Sequence, residues 1–385
     1  MPAPIYMDYQ ATTPTDPRVV EAMLPYFTER FGNPHSAAHR YGWEAEAAVA
    51  KARGQIAGLI GAEADEILFT SGATEANNLA VKGVAEAFHG RKQHLITVTT
   101  EHKCLVEAAQ ALAQRGWRVD FLPVAPDGRI DLDQLADRIA EDTALVSVMM
   151  VNNEIGVIQD IAAIGQLCRQ RGVLVHTDAA QAVGKLDLDL SRLPVDLLSL
   201  SAHKMYGPKG IGALYHRRRV PLRPQMHGGG QEQGLRSGTL ATPLCAGFGA
   251  AAALCAEQGA AERERLATQM ARFRERLTAA LPDLIINGSL THRWVGNLNC
   301  SFPGLDGDRL LADLRGLAVS SGAACASAVQ GPSYVLQALG RSEAQVKAAL
   351  RFGIGRFTTD DEIARAADLV IAAVERQGGL KAEAA

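Results

Sequence analysis

The sequence predicts an α/β protein whose main part is a mostly parallel, mixed sheet, followed by a smaller α+β region. Three observations predict it. Between about residues 65 and 215, short β-branched runs alternate with longer stretches of helical period, the pattern of strands joined by crossover helices. After about residue 260 that alternation gives way to a long amphipathic stretch and short strand candidates. Over 385 residues, 47% hydrophobic and 21% charged side chains are ordinary globular values and exclude a chain disordered throughout. The 39 basic and 42 acidic side chains leave a formal charge of −3, so no electrostatic case for nucleic acid follows.

Taken in order, the strand candidates are Ile67-Leu68-Phe69, Leu95 to Val98, Leu145 to Val151, Val173-Leu174-Val175 and Leu197 to Leu200. In parallel sheets buried on both faces such runs are nearly all apolar, and ligands sit outside the C-terminal strand ends. Polar residues just after those runs are therefore the first candidates for function. The longest uncharged stretch, Ser237 to Ala256, is rich in Ala, and seven of its twenty residues are Gly, Ser, Thr or Pro. It is too weakly apolar to suggest a membrane span. No basic residue precedes Arg18 and no apolar signal core is readable, so a cytoplasmic protein is expected. From Glu262 to Leu281 the spacing of Leu266, Met270, Phe273 and Leu277 predicts a long amphipathic helix. Strand candidates at Leu284 to Ile286 and Leu298 to Phe302 follow, and a last helix is expected from about Asp360 to Gln377. The domain boundaries drawn from this are 15–258 for the large α/β domain, and 1–14 with 259–385 for the small one.

The six cysteines, at 104, 168, 245, 255, 300 and 325, are dispersed, with no Cys-X-X-Cys. That argues against structural zinc, a chain-internal iron–sulfur cluster and a disulfide scaffold, so no metal is expected. Most should be reduced, buried, small hydrophobes.

Three strand ends carry chemistry. Lys204, in Ser201-Ala202-His203-Lys204, follows one strand candidate and precedes Gly207-Pro208-Lys209-Gly210. A lysine amine made neutral by desolvation and neighbouring cations attacks carbonyls; taken alone, though, the surface or capping reading is favoured over catalysis. Asp178, in His176-Thr177-Asp178-Ala179-Ala180-Gln181, ends another run, and a carboxylate buried there needs a cation or serves as a helix cap. A protonated pyridine nitrogen is such a cation. At Ser71-Gly72-Ala73-Thr74 a strand turns into a helix whose free N–H groups suit a phosphate. Together they describe a pyridoxal 5′-phosphate (PLP) site.

With those motifs the chain resembles the class V, fold type I PLP-dependent enzymes, and within them the cysteine desulfurases of the NifS/IscS type. The similarity runs from Tyr6 to about Val374 and rests further on Asp8 to Pro14, Thr100-Glu101-His102-Lys103, Val151 to Gly156, Met226 to Glu232, Arg236-Ser237-Gly238-Thr239, Ser320 to Cys325 and Arg351 to Arg356. The resemblance implies that Lys204 carries PLP as a Schiff base and moves protons at the substrate Cα. Asp178 pairs with the pyridine nitrogen, His102 stacks on the ring and serves in acid-base steps, and Gln181 donates to the phenolic oxygen. Ala73, Thr74, Ser201 and His203 hold the phosphate, with Thr239 from the other subunit of a homodimer. Asn153 and Arg351 bind the substrate carboxylate.

The same resemblance implies that L-cysteine becomes L-alanine while its sulfur passes to Cys325 as a persulfide, for delivery to an acceptor or scaffold protein in iron–sulfur assembly or other thiolation. Cys325 stands among small, unbranched residues, unlike Cys168 or Cys300 in apolar periodic runs, and would meet a metal at most transiently, on a partner's cluster. A selenocysteine lyase or aminotransferase on the same fold would need the lysine, the acid and the phosphate cradle but not Cys325. A non-catalytic sulfur carrier or scaffold is the alternative of a different class. Ala323 and Ala326 stand where housekeeping members commonly carry hydroxyls, and the end of the sequence lacks their longer docking tail, which leaves the sulfur acceptor open.

Overall fold

The computed structural model describes residues 3–322 and 331–378. Its main sheet has seven strands: β1 (Ile67–Thr70), β2 (His94–Val98), β3 (Arg118–Leu122), β4 (Thr143–Ser147), β5 (Leu174–Asp178), β6 (Leu197–Ser201) and β7 (Gly212–His216). Their order is β1-β7-β6-β5-β4-β2-β3. Strand β7 runs antiparallel to both neighbours, and every other pairing is parallel. In β1, β2, β4 and β6 every residue is buried, because helices cover both faces and an alternating pattern has no solvent side to serve. The C-terminal ends of β1, β2, β4, β5 and β6 therefore lie along one edge, and the loops leaving that edge carry the polar residues singled out above.

Helices α1 (Arg40–Ile60), α2 (Ala73–Ala87), α3 (Lys103–Ala113) and α4 (Thr242–Ala280) frame this sheet. The amphipathic spacing places a helix start near Glu262, whereas α4 begins at Thr242, with Pro243 in its first turn, where no N–H is lost. The stretch rich in Ala and Gly is thus helical. Its small residues admit α1 at close range: a Cβ at Gly249 would lie 2.5 Å from the Ala52 Cα. Cys245, Phe248, Ala252 and Cys255 are buried along that face. Among the described residues α4 alone is long and apolar enough, by length and composition, to cross a membrane.

A second sheet is formed by β8 (Ile285–Ile286), β9 (Asn297–Ser301), β10 (Ser320–Ser321) and β11 (Ala349–Gly353), ordered β10-β11-β9-β8 and antiparallel throughout. The final helix, α5 (Asp360–Arg376), opens with a Thr359/Glu362 capping box and buries Ile363, Ala366, Ala367, Val370 and Val374. At the N-terminus Ile5–Tyr6 pairs parallel with Leu317–Ala318, and Asp8 bridges Gly353.

A buried ionic cluster ties these parts together. Arg356 donates from Nε to Glu262 at 2.9 Å and from Nη1 to Asp16 at 2.9 Å, with its guanidinium 4.1 Å over the Tyr206 ring. Tyr206 in turn donates to Glu262 at 2.6 Å. The Arg18 guanidinium, and after it Arg356, holds the Asp16 carboxyl well below the usual range. Tyr206 adopts φ +64, a conformation costing about 1 kcal/mol or more for a non-glycine residue, so these contacts must hold it there.

Candidate active site

The loops at the C-terminal strand edge enclose one cleft of about 670 Å³, and most of the candidate residues line it. From β1 the chain enters α2 through Ser71 and Gly72. Gly72 takes φ +152, and no side chain caps the helix, so the first-turn N–H groups at Ala73 and Thr74 face the cleft without a capping partner. The β7 strand begins so close by that a Cβ at Gly212 would fall 2.7 Å from the Gly72 Cα. Glycine at 212 thus lets the cradle sit against the sheet.

Ser201 ends β6, and the tight turn Ala202–Lys204 brings His203 and Lys204 into the same cleft. Lys204 Nζ donates to the carbonyls of Gln10 and Ala11 at 2.6 and 2.7 Å. Burial first, then Arg351, pulls its pKa down to about 8, while Asp178 and Asp8 oppose the change. A larger fraction of this amine is therefore neutral near pH 8 than for a solvated lysine. His203 accepts or donates at 3.0 Å to Thr12 Oγ1 through Nδ1, and burial with three nearby lysines, Lys204 foremost, pulls its pKa to about 4.

Asp178, 2% exposed at the end of β5, uses both oxygens. Oδ1 accepts from the Ala180 N–H at 2.9 Å and Oδ2 from Asn77 Nδ2 at 2.7 Å. No helix begins after Asp178, so it caps a turn rather than a helix, and its carboxylate is fixed at the cleft wall. Gln181 lines the cleft with its Nε2 on the Gln10 carbonyl at 2.8 Å and its Oε1 on Lys185 Nζ at 2.6 Å.

His102 caps α3, its Nδ1 accepting from the Cys104 N–H at 3.3 Å, so the neutral ring carries its proton on Nε2. Burial, with a further push from Lys204, holds its pKa below the ordinary value against Asp178. Asn153 and Arg351 line the opposite wall. Arg351 is held by Asp8 and Ser320, each 2.7 Å from Nη2, and by the Asn153 carbonyl, 3.0 Å from Nη1. Its buried Nε has no hydrogen-bond partner among the described residues.

Thr239 is exposed and does not line this cleft. Cys325 lies outside the described residues, but Ser320, five positions earlier in the chain, rests on Arg351 at the cleft wall. The sequence reading missed three participants. Cys104, expected to be buried filler, instead lines the cleft, 3.0 Å from His102 Nδ1 and 3.2 Å from Asn77 Nδ2. Burial, followed by Asp178, pushes its thiol up to about 11, so it stays protonated. Asn77 and Lys185 complete the set; Asn77 lies one turn into the helix after the cradle.

The residues suit PLP by their chemistry. An uncapped helix start with Ser201 and His203 offers donors to a phosphate. A buried carboxylate with one edge toward the cleft suits a protonated ring nitrogen, and an amine depressed toward neutrality suits an aldehyde. Among the described residues no group of three or more His, Cys, Asp or Glu could hold a metal ion.

Comparison with known proteins bears on the family and the fold. Residues 5–366 match the aminotransferase class-V family. A cysteine desulfurase IscS of Rickettsia bellii is 52% identical over 375 residues, 97% of this chain and 92% of that protein. A solved NifS-like protein superposes with TM-score 0.91 at 35% identity, covering 97% of this chain and all of the other. SspA in complex with cysteine superposes with TM-score 0.82 at 38% identity, over 92% and 99% of the two chains.

Proposed function

The chain belongs to the aminotransferase class-V family, and on that premise we propose how its residues carry out the reaction of a PLP-dependent cysteine desulfurase. L-cysteine is the substrate and PLP the cofactor, as in the relatives named IscS. The observation that carries the residue assignment is the meeting of Lys204, Asp178 and the start of α2 in one cleft.

Lys204 would hold the cofactor, Asp178 its ring nitrogen, Gln181 its phenolic oxygen and His102 its ring face. The first turn of α2 at Ala73 and Thr74, with Ser201 and His203, would take the phosphate. When bound, PLP withdraws electrons from the substrate Cα and makes its proton removable. Arg351 and Asn153 orient the substrate by its carboxylate, which a guanidinium meets with two parallel N–H bonds. Lys204 Nζ, with a pKa near 8, takes and returns the proton at Cα. His102, with its proton on Nε2, serves as donor in the acid-base steps.

Sulfur leaves by attack of the Cys325 thiolate on the substrate sulfur. The new S–S bond forms as the substrate C–S bond breaks, its electron pair stays with carbon, and a proton completes L-alanine. Cys325 is left as a persulfide, from which an acceptor or scaffold protein takes the sulfur. The chain acts as a homodimer in the cytoplasm. Thr239, exposed and away from its own cleft, is available to the cleft of a second subunit. Leu24, Phe27, Phe31, Tyr41 and Trp43 are large apolar side chains left exposed on one chain, with Phe31 stacked on Tyr41, which favours burial against a partner surface.

The test is Cys325→Ala, assayed for cofactor absorbance, its change on adding L-cysteine, and alanine and sulfide release. The expected variant keeps the cofactor and responds to substrate but releases no sulfur. Normal sulfide production would overturn the assignment.

A further inference from the structure

We propose that Lys185 is a positioning residue, which holds the Gln181 amide with its N–H edge toward the cofactor. The inference rests on the reading above that PLP occupies the cleft with its phenolic oxygen facing Gln181.

Gln181 is 3% exposed, and both ends of its amide are engaged. Nε2 lies 2.8 Å from the Gln10 carbonyl, an acceptor that tolerates only the nitrogen end, so the orientation follows from chemistry. At the other end Oε1 accepts from Lys185 Nζ at 2.6 Å. Lys185 does not line the cleft, so its hydrogen-bonded route to a ligand there passes through Gln181, beside whatever its charge does through space. With Oε1 occupied and one Nε2 hydrogen on Gln10, the second Nε2 hydrogen is the free polar atom of this side chain, and it suits an oxygen acceptor. Removing Lys185 orphans a buried carbonyl oxygen and leaves the Gln10 carbonyl as the amide's one remaining hold among the described residues, so the second N–H is presented to the cleft less firmly.

The surroundings of Lys185 are consistent with this role. Its ammonium lies 6.0 Å from the Trp294 ring centroid. Burial is the main cause of a pKa pulled to about 7; Lys204 and Arg351 push the same way, and Cys255 and Glu262 oppose them. In its charged form Lys185 has donors only and accepts no flipped amide; as pH rises past about 7 the neutral amine loses that constraint.

A donor on the phenolic oxygen favours its anionic form, so the bound chromophore should lose its proton at lower pH with the donor in place than without it. The experiment titrates the visible absorption of the PLP-loaded protein for wild type, Lys185→Met, Gln181→Leu and the double variant. Each single variant should raise the midpoint by about one pH unit, a tenfold change in proton affinity, and the double variant should sit with Gln181→Leu alone. Shifts that add would mean that Lys185 acts as a charge through space, and an unmoved Lys185→Met would mean that it acts on nothing in the cleft; either overturns the inference. Should Lys185→Met not fold, Lys185→Arg decides the matter, since it keeps the donor and should hold the wild-type midpoint, whereas the midpoint of Gln181→Leu would refute the role. A wild-type protein with no titrating band would instead sink the cofactor reading itself.

Discussion

Arg53→Met is expected to destabilise the protein through Glu232, far along the chain. Glu232 is 6% exposed and receives two guanidinium bonds, at 2.9 and 2.6 Å, with a third bond from the Phe69 N–H at 2.6 Å. Arg53 also lies 4.8 Å over the Phe69 ring. Removing the guanidinium leaves a buried carboxylate with one backbone donor, a change that typically costs about 3 to 5 kcal/mol. Glu232 and Gln233 are held at φ +48 and +57, and releasing that strain returns on the order of 1 kcal/mol. The net loss is therefore about 2 to 4 kcal/mol. It should be read as a lower urea midpoint at unchanged slope. Arg53→Met/Glu232→Gln should recover most of the loss, because no unpaired charge then remains. A single variant within about 0.5 kcal/mol of wild type, the scale of ordinary surface substitutions, or a double variant no better than the single, would refute the reasoning.

Acid should weaken the fold through His176, which is fully buried between Ser147 at 2.8 Å and Ser199 at 3.0 Å. Burial pushes its pKa to about 3, so between about pH 6.5 and 3 the unfolded chain binds a proton that the native chain refuses. Stability from this group is present above pH 6.5 and is lost as pH falls, by roughly 4 kcal/mol at pH 3; His176→Asn should flatten that part of a stability–pH curve, and an unchanged slope would contradict it. Arg351→Met should lower kcat/KM for L-cysteine by roughly 30- to 150-fold, the loss of about 2 to 3 kcal/mol of charge-assisted bonding, with cofactor content retained. A value near wild type would remove Arg351 from the substrate site.

The strand edge was legible in the sequence because apolar β-branched runs end where polar residues begin. Lys204, Asp178 and the Ser71 to Thr74 turn each stand within a few residues of such an end. What was hidden depends on contacts between distant segments. Asn77 reads as one more position in a helix, and only packing puts its Nδ2 2.7 Å from Asp178, a hundred and one residues away. Lys185 looks like a turn lysine until Gln181 is seen beneath it. The extent of α4 was misjudged because Ala and Gly read as weakly apolar, whereas their small size is what allows α1 to approach. Arg217, in the run Arg217-Arg218-Arg219, donates to the carbonyls of Val195, Leu193 and Leu190. Such caps leave no local pattern.

The most direct test of the residue assignment is borohydride reduction of the PLP-loaded protein followed by peptide mapping. The account predicts a single pyridoxyl adduct on Lys204, lost in Lys204→Ala. An adduct on Lys185 or Lys209, or a protein that takes up no PLP when it is supplied in excess, would contradict it.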